Sequence, residues 1–274
     1  MGRLTFWGVL LLGSVLSLSA QNSGKSGLSR TARHGVYVIA HRGAHNGIPE
    51  NSLPAYRKAI ELGCDFVEVD VRTTRDGKFV SMHNATIDQY VDGQTGRVNE
   101  MTLDELRRLD IGIRVGENWR GTQVPVFEEI LQLCRGKIGI YLDLKEAPVP
   151  ELVELIRKYG MEREIVWYIP ASHQKEIEQL RTVCPECVPL VDPGAEKNIG
   201  LVLDQVKTPV VATDMGELTP RFVRQAHRRG AMVFTDEKAG TVAEWSRMIG
   251  WKTDGIQTDR PEELIRFLKQ QQQR

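Results

Sequence analysis

The chain has 274 residues, 41% hydrophobic and 26% charged, which suits one large globular domain or two small ones. Its 36 basic and 36 acidic residues cancel, so electrostatics makes no case for a nucleic-acid partner or an anionic membrane surface.

The first twenty residues stand apart. Arg3 is their only charge, Phe6 to Leu18 is apolar apart from Gly and Ser, and Ser17, Ser19 and Ala20 are small residues at its end. That order predicts a secretory signal peptide over residues 1–20. The run falls short of the about 20 apolar residues a membrane span needs. The expectation is export, to the periplasm or the medium, with no stable membrane anchor after cleavage. Residues 21–35, rich in Ser, Gly and basic side chains, read as a linker.

Val36 to Ala40 is the first strand, ending at His41-Arg42-Gly43. Ser52 is a helix N-cap with Pro54 in the first turn, and an apolar face of Leu53, Tyr56 and Ile60 carries the helix to Gly63. Phe66 to Val71 is a second strand. Side chains alternate along it, so Phe66, Glu68 and Asp70 share one face and the three valines the other. Asp76-Gly77 marks a tight turn into a third strand, Lys78 to Met82, followed by His83. Asn84 to Arg97 is a polar loop or hairpin. Thr102 opens a short helix to Leu109 with a capping box. Val126 to Cys134 is another helix, closed by Gly136, and Lys137 to Lys145 is a fourth strand with Asp143 and Lys145 on one face.

Helices over 150–159, 172–183, 196–206, 220–229, 241–249 and 261–269 then alternate with strands over 165–169, 188–191, 210–212, 232–234 and 255–257. About eight βα units fit into residues 36–268 without an internal linker, leaving 269–274 as a frayed tail. Repeated βα order implies a parallel sheet. Eight units predict a single-domain (β/α)8 TIM barrel in preference to a doubly wound open sheet. Of the four cysteines, Cys184 and Cys187 form a lone C-x-x-C. With no second pair at zinc-ligand spacing, they read as a local disulfide or two free thiols, in preference to a redox or metal site.

Chemistry in such a barrel sits at the C-terminal ends of the strands. There the first four predicted strands deliver His41 and Arg42, Glu68 and Asp70, His83, and Asp143 and Lys145. Three carboxylates are hard oxygen donors suited to Mg²⁺ or Ca²⁺. Without a cation they would repel one another and some would take up protons. His34, His45, His173 and His227 read as surface or loop residues, only His45 lying near the rim. Asp254 and Asp259 read as shaping the last turn.

The motifs His41-Arg42-Gly43, Pro49-Glu50-Asn51-Ser52, Gly63-Cys64-Asp65, Glu68-Val69-Asp70, Asp76-Gly77, His83-Asn84-Ala85-Thr86, Asp143-Leu144-Lys145 and Asp254 to Pro261 follow in that order. In order and spacing the chain resembles the glycerophosphodiester phosphodiesterase family over about residues 36–268. The resemblance implies a (β/α)8 barrel and metal-dependent hydrolysis of a small glycerol-linked phosphodiester. It implies that Glu68, Asp70 and Asp143 bind a divalent ion, Mg²⁺ or Ca²⁺. His41 and His83 would be the acid/base pair, and Arg42 and Lys145 would hold the phosphate with Glu50 close by. Four departures stand out: Asn84 for the family's Asp, Gln89 for a usual Arg, Asp143 where Glu is common, and Phe234-Thr235-Asp236-Glu237 for a Trp-Thr-Val-Asn stretch. Two rival readings keep the barrel. One is a lysophospholipid-directed enzyme with an apolar entrance from the loop Asp110 to Val124, which contains Trp119. The other is a phosphate-ligand binding protein without turnover.

Overall fold

The computed structural model of the protein describes residues 28–237 and 239–273. The predicted signal peptide, residues 1–20, and the first part of the predicted linker lie outside the described residues. Eight strands run parallel: β1 (Tyr37–Ala40), β2 (Phe66–Thr73), β4 (Gly139–Glu146), β5 (Ile165–Pro170), β6 (Val188–Asp192), β7 (Val210–Asp214), β8 (Met232–Asp236) and β9 (Gly255–Thr258). Each pairs with the next, and β9 returns to β1 with Ala40 opposite Thr258, so the sheet closes into a barrel. Closure removes both sheet edges. Outside lie α1 (Leu53–Leu62), α3 (Phe127–Cys134), α4 (Val149–Tyr159), α5 (Gln174–Val183), α6 (Ile199–Val206), α7 (Pro220–Arg228), α8 (Val242–Gly250) and α9 (Pro261–Gln272), with α2 (Leu103–Arg107) in the long connection to α3. Among the described residues no helix is long and apolar enough to cross a membrane.

Alternation along the strands sorts the core into two shells. Val38, Ala40, Val67, Val69 and Leu142 face the helices. Tyr37, Ile39, Phe66, Tyr141, Val166, Leu190 and Phe234 fill the lumen, where the rings of Tyr37, Phe66 and Phe234 meet at centroid distances of 5.3 to 6.0 Å. The inward positions above this apolar layer, at the C-terminal mouth, therefore belong to polar residues.

The third predicted strand differs from expectation. β3 (Phe79–Ser81) is not a barrel stave: it pairs antiparallel with the far end of β2, Val71 opposite Ser81 and Thr73 opposite Phe79. The five residues from Thr74 to Lys78 are too few for the crossover that a parallel partner needs. The hairpin points back toward the mouth, and Met82 N donates to the Asp70 carbonyl over 3.1 Å. His83 thus reaches the rim from above.

The stretch read as a linker also behaves differently where it is described. Leu28 and Ala32 pack under the lumen core. The Ser29 hydroxyl donates to the Arg163 carbonyl, Arg30 pairs with Glu164, and Tyr37 Oη donates to the Arg30 carbonyl over 2.6 Å. Asp65 accepts from the backbone of Arg33 (3.1 Å) and Val38 (2.9 Å), tying this segment to β1. Residues 28–33 thus cover the barrel floor. The tail is shorter than predicted, because α9 continues through Gln272. Cys184 and Cys187 form a disulfide, while Cys64 and Cys134 are buried thiols.

Candidate active site

At the end of β1 the chain turns sharply, with Arg42 at φ +50° and Gly43 at φ +87°. A Cβ on Gly43 would lie 2.6 Å from Ala55 Cβ and 2.9 Å from Ala55 C. Glycine is therefore required both by its left-handed backbone and by the closeness of α1. The turn aims the Arg42 N–H at Glu68 Oε2 (2.6 Å) and lets Nη1 donate to both oxygens of Glu50 (3.1 Å each). Arg42 Nε lies 4.0 Å from Asp70 Oδ2.

Glu68 and Asp70 face inward from β2, and Asp143 sits beside Asp70 in register on β4. One oxygen from each of Glu68, Asp70 and Asp143 lies within 4.8 Å of the others. Lys145 Nζ is 2.6 Å from Asp143 Oδ2 and 3.2 Å from Asp70 Oδ1. Burial, then the charges of Asp70 and Asp143, push the Glu68 carboxyl well above the usual range. Burial also raises Asp143 against the pull of Lys145. Burial alone would lower the Lys145 ammonium, but Asp143 and Asp70 outweigh it and the net direction is up. Asp70 Oδ1 is buried with the Lys145 ammonium 3.2 Å away but out of hydrogen-bonding alignment, and the Arg42 Nε–H makes no hydrogen bond. Buried carboxylates are costly without a partner. Three converging carboxylates, all hard oxygen donors, fit Mg²⁺ or Ca²⁺.

A buried network supports the trio. Asn51, at φ +49° and 1% exposed, donates through Nδ2 to Asp70 Oδ2 (2.8 Å). Its Oδ1 accepts from Tyr56 Oη and Ser81 Oγ, both at 2.9 Å. Asparagine tolerates the left-handed region better than most residues. α1, β2 and β3 are thereby locked to one carboxylate. Arg72 Nε donates to the Met82 carbonyl (3.1 Å) and Nη2 to the His83 carbonyl (2.6 Å), while Nη1 reaches Glu146 (3.0 Å). This clamp holds His83 at the mouth. His83 Nδ1 lies 2.8 Å from Asn84 Oδ1, and Asn84 Nδ2 donates to Gln89 Oε1 (2.7 Å), which fixes the amide's orientation. His83 is close enough for its charge to act on Asp143.

The other predicted histidine has a partner the sequence reading assigned to a turn. His41 Nδ1 is 2.7 Å from Asp259 Oδ1, and His45 Nε2 is 2.9 Å from the same oxygen. Asp254, in contrast, is structural: it accepts from Val233 N (2.8 Å) at the barrel floor and meets His227 there. His41, His45 and Asp259 also offer ligand atoms within 4.8 Å of one another, but here two ring nitrogens already share one carboxylate oxygen. The structure thus gathers Arg42, Glu50, Glu68, Asp70, Asp143 and Lys145 into one charge network. His83 is placed beside it, and His41 stands at the end of the adjoining strand. Asn51, Arg72 and His45 are site residues that sequence reasoning gave no role, and Asp259 is one it read as shaping the last turn. For Asp259 the signals were its place at the C-terminal end of a barrel strand and inside the Asp254 to Pro261 motif.

The profile of the glycerophosphoryl diester phosphodiesterase family matches residues 41–263. The chain belongs to that family. Membership makes it a phosphoric diester hydrolase of the glycerophosphodiester class. Its relatives include the glycerophosphodiester phosphodiesterase of Caldanaerobacter subterraneus subsp. tengcongensis, 29% identical over 85% of this chain and 97% of that protein. The crystal structure of the Agrobacterium tumefaciens glycerophosphodiester phosphodiesterase covers 84% of this chain and 99% of its own, at 25% identity and a TM-score of 0.76. An Oleispira antarctica phosphodiesterase, solved in complex with the product sn-glycerol-3-phosphate, shares the fold with a TM-score of 0.77 at 20% identity, over 85% of this chain and 96% of that one.

Proposed function

We propose that the protein hydrolyses glycerophosphodiesters to glycerol 3-phosphate and an alcohol, with a divalent cation held by Glu68, Asp70 and Asp143 and with proton transfer by His41 and His83. The observation that carries this reading is the convergence of three carboxylates, two of them buried, with one oxygen of each within 4.8 Å of the others. A bound Mg²⁺ or Ca²⁺ would supply Lewis-acid stabilisation of charge on the phosphoryl oxygens. The rest of the work falls to the chain. Lys145, now paired with Asp143 and Asp70, and Arg42, whose Nε–H is unused, are the cations that would face phosphate oxygens, and Glu50 orients the Arg42 guanidinium. One imidazole removes a proton from the nucleophile, water or the neighbouring glycerol hydroxyl. The other protonates the departing alkoxide.

The test is release of glycerol 3-phosphate from glycerophosphocholine by chelator-treated protein, with and without added Mg²⁺ or Ca²⁺. Turnover should vanish on chelation and return on metal add-back. Full turnover after exhaustive chelation would sink the metal half of the reading. Failure on every glycerophosphodiester tried would sink all of it.

A lysophospholipid substrate should do worse in the same assay. The loop expected to provide an apolar entrance is tied down instead: Trp119 Nε1 donates to the Gly47 carbonyl (2.7 Å), and Asp110 accepts from Gly112, Ile113 and Gly121. Among the described residues its one exposed large apolar side chain is Val115, too little to guide an acyl chain. We also place the protein outside the cytoplasm, on the strength of residues 1–20 and the Cys184–Cys187 disulfide. The N-terminal sequence of protein recovered from the extracytoplasmic fraction should begin near residue 21. Retention in the cytoplasm with Met1 intact would reverse that placement.

A further inference from the structure

Asp259 is the neighbour of His41 by construction of the barrel. β9 is the last strand and β1 the first; Ala40 pairs with Thr258, and His41 N donates to the Thr258 carbonyl over 3.0 Å. Closure therefore sets the next residue of each strand side by side at the mouth. The turn into α9 does not need this carboxylate, because Arg260 N already donates to Thr258 Oγ1 (2.9 Å). Among the described residues, the hydrogen-bond partners of Asp259 are the two imidazoles.

We propose that Asp259 is the positioning carboxylate of His41: its Oδ1 accepts the Nδ1–H, so that Nε2 is the nitrogen presented to the phosphodiester and the imidazolium form is balanced by a fixed negative charge. The proposal rests on the reading of His41 as a proton-transfer group.

The tautomers follow from donor and acceptor arithmetic. An ionised carboxylate can only accept. Hydrogen bonds from His41 and from His45 hold the Asp259 carboxyl far below its usual range, so it is ionised across the working pH. Both facing nitrogens must then be N–H donors: Nδ1 of His41 and Nε2 of His45. A ring held by its Nδ1–H leaves Nε2 free to take or give a proton, as in nucleophile–base–orienter arrangements generally.

The other charged groups around His41 have partners of their own, though the Asp236 carboxylate also acts on His41 through its charge. They line a cavity of about 240 Å³ with His41 and Asp259: Asp236 and Glu237 from the end of β8, and Arg260 after β9. Glu237 is engaged by Thr258 Oγ1 (2.5 Å) and by the Trp245 indole N–H. Burial raises the Asp236 carboxyl, against the opposing pull of His41 nearby and of its hydrogen bond with Gln257. His45 is a second claimant on Asp259 Oδ1, not a rival for His41.

The test compares wild type, Asp259→Asn and His41→Ala in glycerophosphocholine hydrolysis with Mg²⁺ or Ca²⁺ present, together with ¹⁵N spectra of histidine-labelled protein. Asp259→Asn should lower kcat about 100-fold or more with KM changed less than about threefold. One limb of its kcat/KM–pH profile should move toward acid, because the imidazolium has lost its counter-charge. Wild-type His41 should show its proton on Nδ1, a measurement that needs no variant to fold. A His41 ring with no proton on Nδ1, or an Asp259→Asn profile and kcat superimposable on wild type while His41→Ala is inactive, would overturn the proposal and leave the reading of His41 intact. Wild-type turnover by His41→Ala would overturn the reading and the proposal together.

Discussion

Glu68→Gln should lower kcat about 10³-fold, equivalent to ~4 kcal/mol of transition-state stabilisation, and should at the same time raise the melting temperature of the metal-free protein at neutral pH. Glutamine keeps the volume and an oxygen able to accept the Arg42 N–H that now reaches Glu68 Oε2 over 2.6 Å. It removes one negative charge from a site where burial and two like charges oppose ionisation. The folded-state carboxyl is raised above its unfolded value, so its contribution to stability is fully present below the unfolded value. That contribution is lost as pH rises through the folded one. At neutral pH an ionised Glu68 therefore destabilises the metal-free protein, and the advantage of the Gln variant should shrink on acidification. The same linkage makes cation binding proton-coupled: added Mg²⁺ or Ca²⁺ should raise the wild-type Tm more at neutral than at acid pH, and the Gln variant should respond weakly. Thermal melts with chelator and with metal across the pH range, beside kcat, read all of this. Unaltered metal response and turnover in Glu68→Gln would remove Glu68 from the metal site.

The polar mouth was legible in the sequence because strand periodicity is a local property. Once Phe66 to Val71 reads as a strand, Glu68 and Asp70 must share a face with lumen-filling Phe66, and a carboxylate there has to be explained. The first helix was equally local: Ser52 caps it, Pro54 starts it and Gly63 ends it in the left-handed region. Strand direction is not local. The alternation of Lys78 to Met82 is the same for either sense, and only the short Asp76-Gly77 connection spoke for a hairpin. Residues 28–33 lack periodicity, and part of what holds them, Arg163 and Glu164, lies more than a hundred positions away. Asp259 is the extreme case: it is 218 residues from His41, and only ring closure makes the two neighbours. The Gln-rich end of the chain carries no apolar stripe of its own, yet α9 runs on into it because Phe267 and Leu268 anchor the preceding turn and no Gly or Pro interrupts.

His41→Ala and His83→Ala should each lower glycerophosphocholine turnover by about 10²–10⁴-fold, and the two should separate when the leaving alcohol is made acidic. The structure gives the histidines unlike partners. His41 faces a carboxylate, which stabilises a positive ring, whereas His83 faces the Asn84 amide oxygen, which orients the ring without adding charge. On this difference, the proposed mechanism assigns proton donation to the leaving alkoxide to His41 and acceptance of the nucleophile's proton to His83. A nitrophenolate leaves without needing a proton. Glycerol phosphate nitrophenyl esters should therefore restore His41→Ala toward the wild-type rate, while His83→Ala stays slow. The rate ratio of the two esters for each variant is the measurement. Rescue of His83→Ala in place of His41→Ala would exchange the two roles, and rescue of neither would mean that leaving-group protonation does not limit turnover on the natural ester.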